Sequence, residues 1–237
     1  MPYRSPSQRG VTPQHRGRFP GFDVLDSVAV WDDVTAGTVL RRLALPGELA
    51  FFTPHEAGVA GPLLDLLLEQ DGDPRIPVLA MVDERLAVGE TDGWHYDDLP
   101  EDAQAWREGL AALDEDATAA HPGRDFATLV NDERAELIQS VQDLASAGEQ
   151  WHGWPAKHVW SLWTRYACTA FYSHPWAWNE IGFPGPAYPR GYVNAHVNGR
   201  ERWEVADRAD EDPVRFADRV ERARRRHTDL AGQGDEG

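Results

Sequence analysis

Apolar residues recur at helical spacing through the middle of this chain. Thr53-Pro54-His55-Glu56 places Thr as a helix cap, Pro at the first helical position and Glu where a capping box needs it. Leu63, Leu64, Leu66, Leu67 and Leu68 follow, and Pro62 among them predicts a kink or a restart. Asp71-Gly72-Asp73-Pro74 reads as a turn. The next helix begins near Pro77, with Val78, Leu79, Val82 and Leu86 on one face and Asp83, Glu84 and Arg85 directed largely away from it. Gly89 to Asp98 is polar and reads as an outward loop. Pro100 opens another helix, where Glu101 and Asp102 favour the N-terminal dipole and Ala103, Trp106, Leu110 and Leu113 line the buried side. His121-Pro122-Gly123 ends that region.

Asn131 then reads as the cap of a helix with Leu137, Ile138, Val141, Leu144 and Ala145 on one stripe and Gly148 as its terminator. The last long helix starts near Pro155. Val159, Trp163, Tyr166, Ala167 and Ala170 follow its period, Trp160 and Phe171 widen the face, and Pro175 stops it. Residues 22–50 leave two readings open. Val28 and Val30 alternate as in a short strand, while Val34 to Leu43 has a helical pattern ending before Pro46. The expected architecture is mostly α: one compact helical domain over residues 22–205, with a long aromatic, Gly- and Pro-rich C-terminal loop. Residues 1–21 read as a disordered arm and 206–237 as a charged tail, partly helical through Val214, Phe216, Ala217 and Val220.

Composition narrows the function classes. The net charge of −17 argues against a nucleic-acid partner, which needs a cationic footprint. The basic run Arg222-Ala223-Arg224-Arg225-Arg226 follows acidic residues and reads as a solvated helix end. No apolar run approaches the roughly 18 residues of a membrane span. The N-terminal arm has neither an apolar core nor an adjacent arginine pair, so no export signal is expected from it. The one cysteine, Cys168, cannot form a disulfide within the chain. It reads either as a small buried apolar residue or as an intersubunit thiol.

Cofactor motifs are not evident. No G-x-G-x-x-G follows a strand pattern, and no Walker lysine loop, HExxH, CxxC or G-x-S-x-G occurs, so neither a flavin nor a nicotinamide site is expected in this chain. His152 and His158 lie on different faces if both are helical, and His174 and His196 lie apart from them, so no metal site is assigned. Glu180 is an acid/base candidate without an evident second carboxylate, and reads as a hydrogen-bonder in the turn. Trp151, Trp154, Trp160, Trp163, Trp176 and Trp178 crowd together. They suit a structural core, a protein–protein hot spot or an aromatic sugar platform.

The densest stretch is Phe171-Tyr172-Ser173-His174-Pro175, followed by Trp178-Asn179-Glu180-Ile181-Gly182-Phe183-Pro184-Gly185-Pro186 and Arg190-Gly191-Tyr192. It resembles the C-terminal signature of the gluconate 2-dehydrogenase subunit 3 family. Phe51-Phe52-Thr53-Pro54-His55-Glu56 resembles the family's capped first helix, and the similarity continues through Ile76-Pro77 to Leu86. Trp106-Arg107-Glu108-Gly109-Leu110 to Leu113-Asp114, then Phe126, complete it across most of residues 50–195. The ends of the chain are not explained by it.

The resemblance implies a small subunit of a membrane-associated dehydrogenase that oxidises sugars, sugar acids or polyols. FAD would sit in a large subunit of the glucose–methanol–choline (GMC) type, and a cytochrome c subunit often takes the electrons. The small subunit would bind, stabilise and help mature the flavoprotein, with no catalytic residue of its own. Many members carry a twin-arginine signal. Without one here, the chain would be cytoplasmic, or extracytoplasmic and membrane-associated if exported with a partner. The expected partner surface comprises Trp160, Trp163, Phe171, Tyr172, Pro175 and Trp176, and continues through Trp178, Ile181, Phe183, Pro184 and Tyr192. The alternative is a stand-alone module holding a sugar or an aromatic ligand on the tryptophans. A third reading, an enzyme built on Glu180 and His174, has little in the sequence to ask for it.

Overall fold

The computed structural model describes residues 19, 22–44, 47–70, 75–194 and 199–205. Within them the chain is mostly helical. A 3-10 segment, Val24–Val30, precedes α1 (Asp33–Arg41), α2 (Pro54–Leu67), α3 (Val78–Ala87) and α4 (Asp102–Ala120). A 3-10 turn at Phe126–Thr128 leads to α5 (Asn131–Ala147), a hairpin of β1 (Gln150–Trp151) and β2 (Trp154–Pro155), then α6 (Ala156–Ser173) and α7 (Pro175–Ile181). The hairpin is antiparallel and pairs Trp151 with Trp154. His152 and Gly153 both take positive φ, which suits a two-residue turn.

Local chemistry sets most helix ends. In α2 the Glu56 amide donates to Thr53 Oγ1 at 3.2 Å and the Thr53 amide donates to Glu56 Oε2 at 2.8 Å, a complete capping box. Pro62 neither stops nor restarts α2, because Val59, Ala60, Leu63 and Leu64 bury around it and tertiary packing outweighs one lost hydrogen bond. Asn131 is the first helical residue of α5 rather than its cap, and the Val130 amide donates to Glu133 Oε2 at 2.9 Å. Between residues 22 and 50 the helical pattern wins. Val28 and Val30 lie in the 3-10 segment, not a strand, and Asp32 caps α1 by accepting from the Thr35 amide at 2.9 Å. The turn expected at 71–74 and the helix expected beyond residue 206 lie outside the described residues.

α6 runs through the centre, packed by α5, α3, α2 and α4. Trp106, Trp163, Tyr166, Phe126 and Phe171 are fully buried here. Trp106 meets the Tyr166 ring edge-on at 5.7 Å, and Trp163 meets Trp151 at 5.4 Å. The Trp163 indole lies over Gly109 of α4, where an added Cβ would stand 3.4 Å away, an ordinary contact distance.

Two aspartates lie buried inside the fold, and one of them corrects the amphipathic reading of α3. Asp83 does not face outward; it is 3% exposed. Its carboxylate accepts from the backbone amides of Ala50, Phe51 and Phe52 at 2.7, 3.0 and 2.8 Å. Those amides enter α2 with no helical partner of their own, so the carboxylate replaces the water they lose. Asp102 is also buried, and accepts from the Tyr166 hydroxyl at 2.7 Å and from Arg165. The polar segment 89–98 is an exposed loop, as expected, and is tethered at two points. Asp92 pairs with both Arg85 of α3 and Arg165 of α6, and Tyr96 stacks on His158 at 3.8 Å.

Removing the Asp83 acceptor strands three amides at once. Asp83→Ala is expected to lower the unfolding free energy by about 3 kcal/mol or more, and Asp83→Asn by less, since one carbonyl acceptor survives. Urea unfolding of the three proteins measures this.

Candidate functional site

The C-terminal signature is built on a corner between two helices. α6 ends at Ser173, and Pro175, expected only as a stop, is the first residue of α7. The segment 175–181 is therefore helical, not irregular. His174 has extended backbone and serves both helices, closing α6 and capping α7, where its Nδ1 accepts from the Trp176 amide at 3.2 Å. Pro favours extended conformation in the residue before it and suits the first helical position after it, so His174-Pro175 encodes the corner locally. Gly182, at φ 68°, ends α7 in the left-handed region.

Trp178 anchors the turn that follows. Its indole N–H donates to the Tyr172 carbonyl at 2.6 Å, and its ring meets Phe183 edge-on at 5.2 Å. Arg42 lies over the same indole at 5.8 Å and donates to the Ser173 carbonyl at 2.8 Å. The Val24 amide donates to Asn179 Oδ1 at 2.8 Å, and the Trp31 indole donates to the Pro186 carbonyl at 3.0 Å. These N-terminal partners were not legible in the sequence, since nothing local links positions 155 residues apart.

The residues expected at the partner surface fall into two groups. Trp163, Phe171, Pro175, Trp176, Trp178 and Pro184 are buried within this chain, so none of them presents a surface in this state. Trp160 is half-buried against the main core. Tyr172, Ile181, Phe183 and Tyr192 are exposed, at 48%, 50%, 39% and 58%. Tyr188 and Val193 are exposed too and extend the same stretch beyond the residues singled out from the sequence. Cys168 corrects the buried reading: it is a free, exposed thiol on α6. Part-burial nevertheless pushes its pKa up, away from a reactive thiolate.

The candidate acid/base pair does not assemble as chemistry. His174 is 1% exposed and committed to capping α7. Glu180 corrects the hydrogen-bonder reading: its Oε2 is buried and has no hydrogen-bond partner among the described residues. Other histidines pair with carboxylates across elements: His55 with Asp114 at 2.6 Å, His158 with Asp98 at 2.6 Å and His152 with Asp116 at 2.8 Å.

Burial, with a smaller push from the Arg42 charge, lowers the His174 pKa to about 4. The unfolded chain, with an ordinary imidazole near 6.5, then binds the extra proton first. His174 therefore weakens the fold as pH drops from about 6.5 toward 4, by on the order of 3 kcal/mol in all. His174→Asn keeps a capping acceptor and removes the titration. Its destabilisation relative to the native chain should shrink steadily over that range; parallel pH–stability curves would contradict the assignment.

Among the described residues no helix is long and apolar enough to cross a membrane. No curated protein and no solved structure matches the chain significantly. A family model described as Gluconate 2-dehydrogenase subunit 3 matches residues 54–185, more than half of the chain. The match starts at the first residue of capped α2 and ends at Gly185, in the turn anchored by Trp178. On that span and this helical architecture, the chain belongs to the gluconate 2-dehydrogenase subunit 3 family.

Proposed function

We propose that this chain is a non-catalytic accessory subunit that binds, stabilises and helps mature an FAD-dependent dehydrogenase of the GMC type, acting on sugars, sugar acids or polyols. Membership in a subunit family implies a multi-subunit dehydrogenase. The observation that carries the reading is the run of exposed apolar side chains at and beyond the end of the matched region. Tyr172 lies in the last turn of α6, Ile181 closes α7, and Phe183, Tyr188, Tyr192 and Val193 follow along the chain, each exposed. Exposed rings this frequent in sequence favour a protein partner, where Tyr and other aromatics supply much of the binding energy. The buried tryptophans hold that edge rigid, which limits the ordering cost of docking.

In this reading the flavin and the hydride transfer belong to the partner. The small subunit acts by binding the folded flavoprotein and so raising its apparent stability. Cys168, exposed on α6, is the thiol proposed to pair with a cysteine of the partner.

Co-expression with the large subunit tests the proposal. Flavin content and soluble yield of the large subunit should rise clearly when this chain is present. The double substitution Ile181→Asp, Phe183→Asp should abolish the gain while leaving the helical signal of this chain intact, since both side chains are exposed. Equal flavin loading with and without the chain would reject the reading.

A further inference from the structure

We infer that segment 22–42 is a detachable strap, which lies on the α7 signature in the free chain and is displaced when the partner subunit docks. The identity of the displacing partner rests on the docking reading above; the strap itself rests on the structure alone.

The strap is packed separately from the main core. Val24, Trp31 and Val39 form their own buried cluster with Trp178, apart from the large cluster that joins α2 to α6. Its long-range side-chain tethers go to the C-terminal signature. Val24 N–H reaches Asn179, Trp31 reaches Pro186, and Arg42 reaches Ser173. A third of the strap is 3-10 helix, whose hydrogen-bond geometry is poor. A unit held by a small apolar cluster of its own and a few hydrogen bonds can open without loosening the core beneath it.

The groove under the strap is shaped for an inserted side chain. A Cβ on Gly185 would lie 2.4 Å from the Trp31 indole of the strap, and one on Gly182 would lie 2.6 Å from the ring of Phe19, just ahead of the strap. Both glycines lie within the family-matched residues 54–185, whereas the whole strap lies outside them. The matched domain thus supplies a groove that this chain fills with a segment of its own.

The strap also shows what the groove recognises. An occupant must bring aliphatic or indole groups for the Trp178 ring, a backbone N–H for Asn179 Oδ1 and a side-chain donor for the Pro186 carbonyl. An apolar segment of the large subunit carrying a Trp or Tyr meets all three demands. Tyr172, Ile181 and Phe183 remain exposed beside the strap and supply the first contact; displacement would then add Trp178 and Pro184 to the interface. On this view the strap keeps those side chains from water until the partner arrives.

Hydrogen exchange on the full chain, free and in complex with the large subunit, tests the inference. In the free chain the amides of 24–42 should exchange as one group, ahead of those in α2, α4 and α6. Trp31→Ala should speed that group on the order of a hundredfold, the effect of truncating a buried ring, and leave α6 unchanged. In the complex the strap amides should lose protection. Trp31→Ala should bind the large subunit more tightly by about the same hundredfold factor, because the closed state no longer competes. Strap and α6 amides exchanging together in the free chain would overturn the inference. So would strap amides that gain protection in the complex, or a Trp31→Ala chain that binds more weakly; either leaves the docking reading intact. No complex with either chain would sink the docking reading and displacement with it, while the free-chain exchange still judges whether the strap opens as a unit.

Discussion

The packing of aromatic rings between α4 and α6 is the constraint on which the rest of this fold depends. The Trp163 indole lies over Gly109 of α4. Trp163 in turn meets Trp151 of the hairpin, and Trp106 from α4 reaches Tyr166 on the next turn of α6. The rings are large enough that small shifts of α6 would leave voids or clashes, so its position is closely set. α6 carries Phe171 and the His174 corner at its far end, and fixing its axis therefore fixes where α7 and the exposed aromatic edge project.

Polar groups inside the fold serve the same end. The Tyr166 hydroxyl, buried and hydrogen-bonded to Asp102, has its pKa raised and stays a donor. Asp102 and Asp92 both accept from Arg165, and Arg85 completes the set by pairing with Asp92 while lying over the Tyr166 ring at 4.7 Å. Burial pushes the Asp92 carboxyl up, but hydrogen bonds and charge from Arg85 and Arg165 outweigh it and hold it below the usual carboxylate range. The segment joining α3 to α4 is thus fastened to both α3 and α6. Such a network stabilises mainly by avoiding unpaired buried charge, and it tolerates the loss of one member poorly.

At the C-terminal signature, structure and proposed role meet. The buried rings organise, and the exposed ones remain for contact. His174, buried and neutral, caps α7 without introducing a charge into the corner. The N-terminal strap covers one side of α7 and leaves Ile181 and Phe183 uncovered. Trp176 and Trp178 are buried at this corner while Ile181 and Phe183 are exposed, the arrangement that the proposed docking role requires. That division agrees with a chain whose family is named for a subunit.

By itself the sequence determined the helices from α2 to α6 and their order, because capping and periodicity act within a few residues. Thr53-Pro54-His55-Glu56, the stripe from Leu137 to Ala145 and Gly148 needed nothing distant to be read correctly. The family was legible for a related reason: its signature is a run of Pro, Gly and rings with fixed local spacing. What tertiary structure decided is which of those rings face water. Trp163 and Trp178 look no different in sequence from Tyr172 and Phe183, and only the partners they meet separate them. The same holds for Asp83, whose helical position reads as outward until three amides from the start of α2 arrive beside it. Trp31 found Pro186 only through folding. Burial and pairing are properties of surfaces brought together across the chain, and no local pattern encodes them.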